Sequence, residues 1–191
     1  MKYPILAYGH PVLKQKCADI SPDYPGLKKL IKDMWTTMYA ANGAGLAAPQ
    51  IGKSIRLFMV DTVQMFKDAD SKERELYVGD EGIKEVFINP IITETDGRLW
   101  TDVEGCLSIP KLQLDIERKM MLKINYVNEK FEPKEMTLIG ASARAVFHEY
   151  DHIEGILMTD YKDKNEFREQ LQRISSGIVK VTYKMKFFKE I

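Results

Sequence analysis

The sequence predicts an α+β fold, a single compact domain over residues 1–191 in which mixed or antiparallel sheets pack around a central histidine-bearing helix, with a strand at the C-terminal end. Three observations predict it. Helical and extended periodicities follow one another irregularly rather than as repeated βα units. No internal repeat, low-complexity tract or Pro/Ser linker divides the chain. With 191 residues, 45% hydrophobic and 29% charged, it can bury a sizeable core.

Taken in order, Leu27, Leu30, Ile31, Met34, Trp35, Met38 and Tyr39 fall at three-and-four spacing and predict an amphipathic helix whose apolar stripe lies on a sheet. Asn42 and Gly43 stop it, the glycine being free to take the left-handed conformation that closes a last turn. Residues 43–50 then read as a loop of small side chains. Positions 55–60 predict a strand, and the charged stretch 67–80 a solvated excursion without chemistry. Positions 86–92, with Pro90 near the end, predict a second strand, and Asp96 and Gly97 a turn before 98–104. A third strand is expected at 121–127 and an extended run at 135–139, which Gly140 separates from a helix over about 141–153. Phe167, Leu171 and Ile174 predict another short helix. Val179, Val181, Tyr183, Met185 and Phe187 alternate with polar residues as a half-buried terminal strand would.

Charge and hydropathy exclude several classes of function. Lys plus Arg and Asp plus Glu number 28 each, so no basic footprint for a polyanion is expected and nucleic-acid binding is a poor reading. No apolar run approaches the roughly 18 residues that span a bilayer, so neither a membrane helix nor a signal peptide is expected. Two cysteines, Cys17 and Cys106, are too few for a disulfide framework and fit a reducing compartment, with the cytoplasm as the expected location.

The chemistry lies in the late helix. His148 and His152 stand four residues apart, one turn along and nearly the same direction around the axis, so both can reach one metal ion. Glu149 follows the first directly and can accept a proton from a metal-bound water. In a chain of this composition the pattern is expected by chance roughly 0.004 times, so two incidental histidines on an exposed helix are the minor reading. This would be the metal-binding helix at the centre of the fold. A catalytic site usually has three protein ligands and an open position. Cys106, in the turn-like segment entering Ser108, Ile109 and Pro110, is the best third ligand, ahead of His10 and of its own reading as a small buried hydrophobe. Residues 43–50 end in Gln50, whose amide can donate to a developing oxyanion. Ala141, Arg144, Ala145, His148 and His152 share one helix face, a groove floor small enough for an unbranched side chain.

Three segments, residues 43–50, Glu104-Gly105-Cys106-Leu107-Ser108 and the pentad 148–152, closely resemble in order and spacing the signature motifs of the peptide deformylase family. The resemblance extends to residues 3–6 and 155–157. It implies a metal-dependent hydrolase removing the N-formyl group from the terminal formylmethionine of nascent polypeptides. It implies Cys106, His148 and His152 as metal ligands, Glu149 as general base and then acid, and Gln50 with the Leu107 amide as oxyanion donors. Gly45 and Gly105 would lie beside the substrate backbone, with Arg144 and Ala145 at the substrate groove. Ligand types alone read as zinc. The resemblance implies one divalent ion, ferrous iron in its native state, with zinc, nickel or cobalt able to substitute. Arg118 would pair with Glu104. Ala44, Gln113 and Phe147 depart from the family pattern and bear on the substrate rim. The expected partner is the nascent formyl-Met polypeptide. The ribosome surface is a second candidate through the lysine-bearing tail, for which a solvated face is the simpler reading. Two alternatives compete. A zinc endopeptidase would take a downstream acid such as Asp160 or Glu166 as third ligand, and a non-catalytic structural metal-binding module would close the site with Cys17.

Overall fold

The computed structural model describes residues 1–68 and 79–187. Five strands, β2 (Gly45–Ala47), β3 (Leu57–Asp61), β4 (Lys84–Cys106), β5 (Ile109–Val127) and β6 (Pro133–Ile139), form one sheet in sequence order with every neighbouring pair antiparallel. Helix α1 (Leu27–Ala40) and helix α3 (Gly140–Ile153) cover its two faces, joined by the shorter α2 (Val63–Asp68) and α4 (Arg168–Ser175). The period-two alternation of the strands assigns the faces. Leu57, Met59, Val86 and Ile88 turn to α1, where they meet Leu30, Ile31, Met34 and Met38. Phe58, Val60, Phe87, Leu122 and Ile124 turn to α3, where they meet Ala143, Val146 and Ile153. A third apolar cluster joins Ile109, Leu112 and Ile116 of β5 to Leu157, Phe167, Leu171 and Ile174. The α+β fold is therefore observed, and no helix among the described residues is long and apolar enough to cross a membrane.

Several expectations change in detail. Residues 43–50 are not simply a loop: Gly45–Ala47 pair with β3 as β2, and Ala48–Ile51 form a 3-10 turn. Strand β4 is one continuous element rather than two strands and a turn. Gly97, at φ +81°, sits in a register shift between Asp96 and Leu99, so the glycine bends the strand without ending it. The end of α1 is a Schellman closure in which Asn42, not Gly43, takes the left-handed conformation at φ 55°, and Gly43 N–H donates to the Met38 carbonyl. Gly43 is needed for another reason, since a Cβ there would lie 2.8 Å from Leu107 Cδ1. Of the terminal strand, the half-buried alternation holds, but the ladder is short: among the described residues only Met185–Lys186 (β7) pairs, in parallel, with β1 (Ile5–Leu6). Most of the charged excursion, residues 69–78, lies outside the described residues. Its end has a task, because the Asp80 carboxylate accepts from Ser142 N at 2.7 Å and Ser142 Oγ at 2.6 Å and so caps the first turn of α3.

Candidate metal centre

Helix α3 presents His148 and His152 with ring centroids 5.0 Å apart and planes at 82°. The tip of the β4–β5 hairpin delivers Cys106 to the same point: its Sγ lies 3.3 Å from His152 Nε2. Ligand atoms of Cys106, His148 and His152 all fall within 4.8 Å of one another, and among the described residues no fourth His, Cys, Asp or Glu joins them. His148 Nδ1 is 3.0 Å from Glu104 Oε2, which fixes the ring and leaves Nε2 for the shared point. One soft thiolate and two imidazoles converging on a spot with no competing carboxylate fit a single divalent transition-metal ion.

The rival ligands are elsewhere. Cys17 is buried with Ser54 and the Gln15 carbonyl as its neighbours. His10 caps the 3-10 turn Pro11–Lys14 by accepting from Val12 N–H. Asp160 is held by Lys14 and Lys164, and Glu166 is exposed.

Around the triad lies a buried charge network. Arg118 binds Glu104 in a two-pronged pair, Nε to Oε1 at 2.6 Å and Nη2 to Oε2 at 3.0 Å, the pairing expected from the family resemblance. Its Nη1 reaches Asp151 Oδ2 at 2.9 Å, which also accepts from Tyr161 O–H at 2.9 Å. Arg144 donates to Glu104, to the Ile116 carbonyl and to the Trp100 carbonyl, with its guanidinium 4.3 Å from the Trp100 ring centroid. Burial works against a charge on Glu104, but the His148 and Arg118 hydrogen bonds outweigh it and hold the carboxyl down at about 2. Glu149 has no such partners. Burial pushes it up to about 7, and its Oε2 is buried without a hydrogen bond from any of the described residues. Its carboxyl lies against Gly45, where a Cβ would come within 2.5 Å of Oε1, so the glycine makes room for the acid.

Gln50, buried beneath the triad, has its Oε1 fixed by Ala47 N–H at 2.8 Å. Its Nε2 donates to Ser108 Oγ at 3.2 Å and lies 3.8 Å from Cys106 Sγ. A cavity of about 870 Å³ opens over these groups, and Gly45, Gly105, Leu107, Ala141, Arg144 and Ala145 are among the residues that line it. A Cβ on Gly105 would meet open space, so that position is a bare stretch of wall.

The match to known proteins agrees with this geometry. The model of the polypeptide deformylase family covers residues 2–168. The chain belongs to that family. The peptide deformylase of Christiangramia forsetii is 47% identical over 190 residues, covering 98% of this chain and 96% of that protein. That of Flavobacterium johnsoniae is 42% identical over 193 residues with the same coverages, 98% and 96%. The crystal structure of peptide deformylase from Thermus thermophilus aligns with a TM-score of 0.78 at 34% identity, over 93% of this chain and 99% of that one. This chain is accordingly an enzyme of the deformylase type, metal-dependent, with a Cys/His/His group that fits one divalent ion.

Several residues of this deformylase's site left no local mark in the sequence. Asp151 and Tyr161 reach Arg118 from positions 33 and 43 residues away in sequence, a relation only the fold creates. Phe147, a departure from the family pattern, supports the same arginine with its ring at 5.7 Å. Tyr183 donates to the Leu107 carbonyl at 2.7 Å, and Lys180, Val181 and Thr182 wall the cavity beside it. The alternation of the tail places Tyr183 on its inner side but says nothing of where that side docks.

Proposed function

We propose that residues 1–191 act as one catalytic unit that hydrolyses the N-formyl group of formylmethionyl peptides, the ends of nascent chains, releasing formate. The observation that carries this reading is the convergence of Cys106, His148 and His152 beside the unpartnered carboxylate of Glu149 on the floor of an open cavity. When bound at the triad, a divalent metal supplies Lewis acidity, lowering the pKa of water and polarising a carbonyl. Glu149 takes the proton of the attacking water, for which its free Oε2 is placed, and later gives it to the departing amine nitrogen. Gln50 Nε2 and the Leu107 N–H donate to the oxygen that gains charge, each donor contributing roughly 3 to 4 kcal/mol in the transition state. Gly45 and Gly105 let the peptide backbone lie close to the wall, and Ala145 with Ala141 leaves room for the unbranched methionine side chain.

Arg144 lines the cavity, where the sequence reading put it at the substrate groove, and it has a positioning part as well. Both of its Nη atoms are engaged with Glu104 and backbone carbonyls, so its task is to hold Glu104, and through it His148, in place. We propose ferrous iron as the native ion, with zinc, nickel or cobalt able to replace it, and the cytoplasm as the site of action. Loss of activity in air with retention in the nickel form would support iron. A ribosome contact through the lysine-bearing tail is the remaining partner proposal, measured by cosedimentation.

The test is formate release from formyl-Met-Ala-Ser by anaerobically purified protein. Turnover there, with none on the same peptide carrying an unformylated amine, supports the reading. Internal cleavage of unformylated peptides would overturn it in favour of an endopeptidase.

A further inference from the structure

A second cavity, of about 420 Å³, lies between the start of β5 and α4. It shares Pro110, Lys111 and Lys180 with the catalytic cavity, so the two adjoin at those residues. Lys111, Arg173 and Lys180 line it, all exposed, and among the described residues no carboxylate does. Among the described residues none of the three has an ion-pair partner, although the chain as a whole balances 28 bases with 28 acids. Like charges sharing a groove repel, and an anionic occupant relieves that repulsion.

The backbone adds a second observation. Ile109 pairs with Cys106 and Gln113 with Gly105, so residues 110–112 bulge out of the ladder next to the metal centre. Lys111, at their middle, has φ +64°, a left-handed conformation that glycine or asparagine would adopt more cheaply. The bulge carries its side chain to the seam of the two cavities. Ile178, 65% exposed, and the half-buried Val179 give the outer groove an apolar floor for a side-chain stem.

We propose that this outer groove binds acidic side chains in the downstream part of the substrate peptide, so that the enzyme favours formylmethionyl chains with Asp or Glu several residues after the methionine. The assignment rests on the deformylase reading and deepens it. An extended chain advances about 3.3 Å per residue, so residues beyond the first two or three would leave the catalytic cavity across the Lys111 bulge.

The experiment compares kcat/KM of the metal-loaded full-length protein on formyl-Met-Ala-Ser and on the same peptide extended by Asp-Glu-Glu or by Lys-Lys-Lys. The acidic extension should be preferred over the basic one by about fivefold at low salt, and the preference should collapse at roughly 0.5 M salt. Arg173→Glu, on the outer groove alone, should cut that preference at least about threefold and leave the short peptide at the wild-type rate. Lys111→Asn, which keeps a residue at ease with positive φ, should cut it similarly. Equal rates on the two extended peptides, or a preference untouched by both variants, overturns the groove and leaves its cations to another partner such as the ribosome surface. Absence of formate from all three peptides overturns instead the activity on which the groove's assignment depends.

Discussion

Two helices of 14 residues flank the same sheet, and they differ in how much polar side chain they bury. Helix α1 buries Leu27, Leu30, Ile31, Met34 and Met38 with only two polar residues, Thr37 and the Asp33 paired to Lys29 and the N-terminal amine, so it is held mainly by apolar area removed from water, about 25 cal/mol per Å². Helix α3 turns Ala143, Val146 and Ile153 inward but also buries Arg144, Glu149, Asp151 and His152. Each of those costs free energy unless a partner compensates it. Arg118 and Glu104, brought by β5 and β4, supply most of the compensation. Among the described residues three atoms of those α3 side chains are left without a hydrogen-bond partner, Arg144 Nε, Glu149 Oε2 and His152 Nδ1, and the last two belong to residues of the metal centre. One flank stabilises the fold, and the other positions chemistry that the fold must tolerate.

Substitutions can separate the two flanks. The largest effect should come from Glu149→Gln, which is expected to lower formate release about a thousandfold while metal content, measured by elemental analysis, stays at the wild-type level. Its counterpart in α1 is Met34→Ala. Urea titration should find a loss of about 2 to 5 kcal/mol of stability, with kcat of the folded protein unchanged. Arg118→Leu should blur the contrast. It strips Glu104 and Asp151 of a shared cation, so stability should fall by about 3 to 5 kcal/mol, and metal affinity in a chelator competition should fall by about 10- to 100-fold.

Tyr183→Phe should reach the site from neither helix. Losing the bond to the Leu107 carbonyl should lower kcat about fivefold with KM nearly constant, since one hydrogen bond contributes about 1 kcal/mol. The smallest effect is expected at Asp160. Burial raises its pKa, but Lys14 and Lys164 outweigh burial and hold it below the ordinary carboxylate range. Its stabilisation is therefore complete above that range and lost as pH falls through the folded value. Asp160→Asn should cost under about 1 kcal/mol at neutral pH in thermal melts, the difference vanishing in strong acid.

The same contrast explains what the sequence could convey. Helix α1 was legible because its face is set by the 3.6-residue period, and the His148, Glu149, His152 pattern because one helical turn fixes its geometry. Cys106 was legible as a candidate, but its arrival at His152 depends on a 23-residue strand whose bulge at Gly97 reads in sequence as a turn. Residues 45–47 offered small side chains without strand alternation, and their pairing with β3 is decided by the partner. The contacts of Arg118 with Asp151 and Tyr161 and that of Tyr183 with Leu107 join segments far apart in the chain, and composition and period carry no information about such distances.

The most direct test is X-ray absorption at the zinc edge of the zinc-loaded protein. The account predicts one sulfur at about 2.3 Å, two imidazole nitrogens at about 2.0 to 2.1 Å and one light atom that exchanges with added ligands. A first shell without sulfur, or with a fourth protein donor in the exchangeable position, would contradict it.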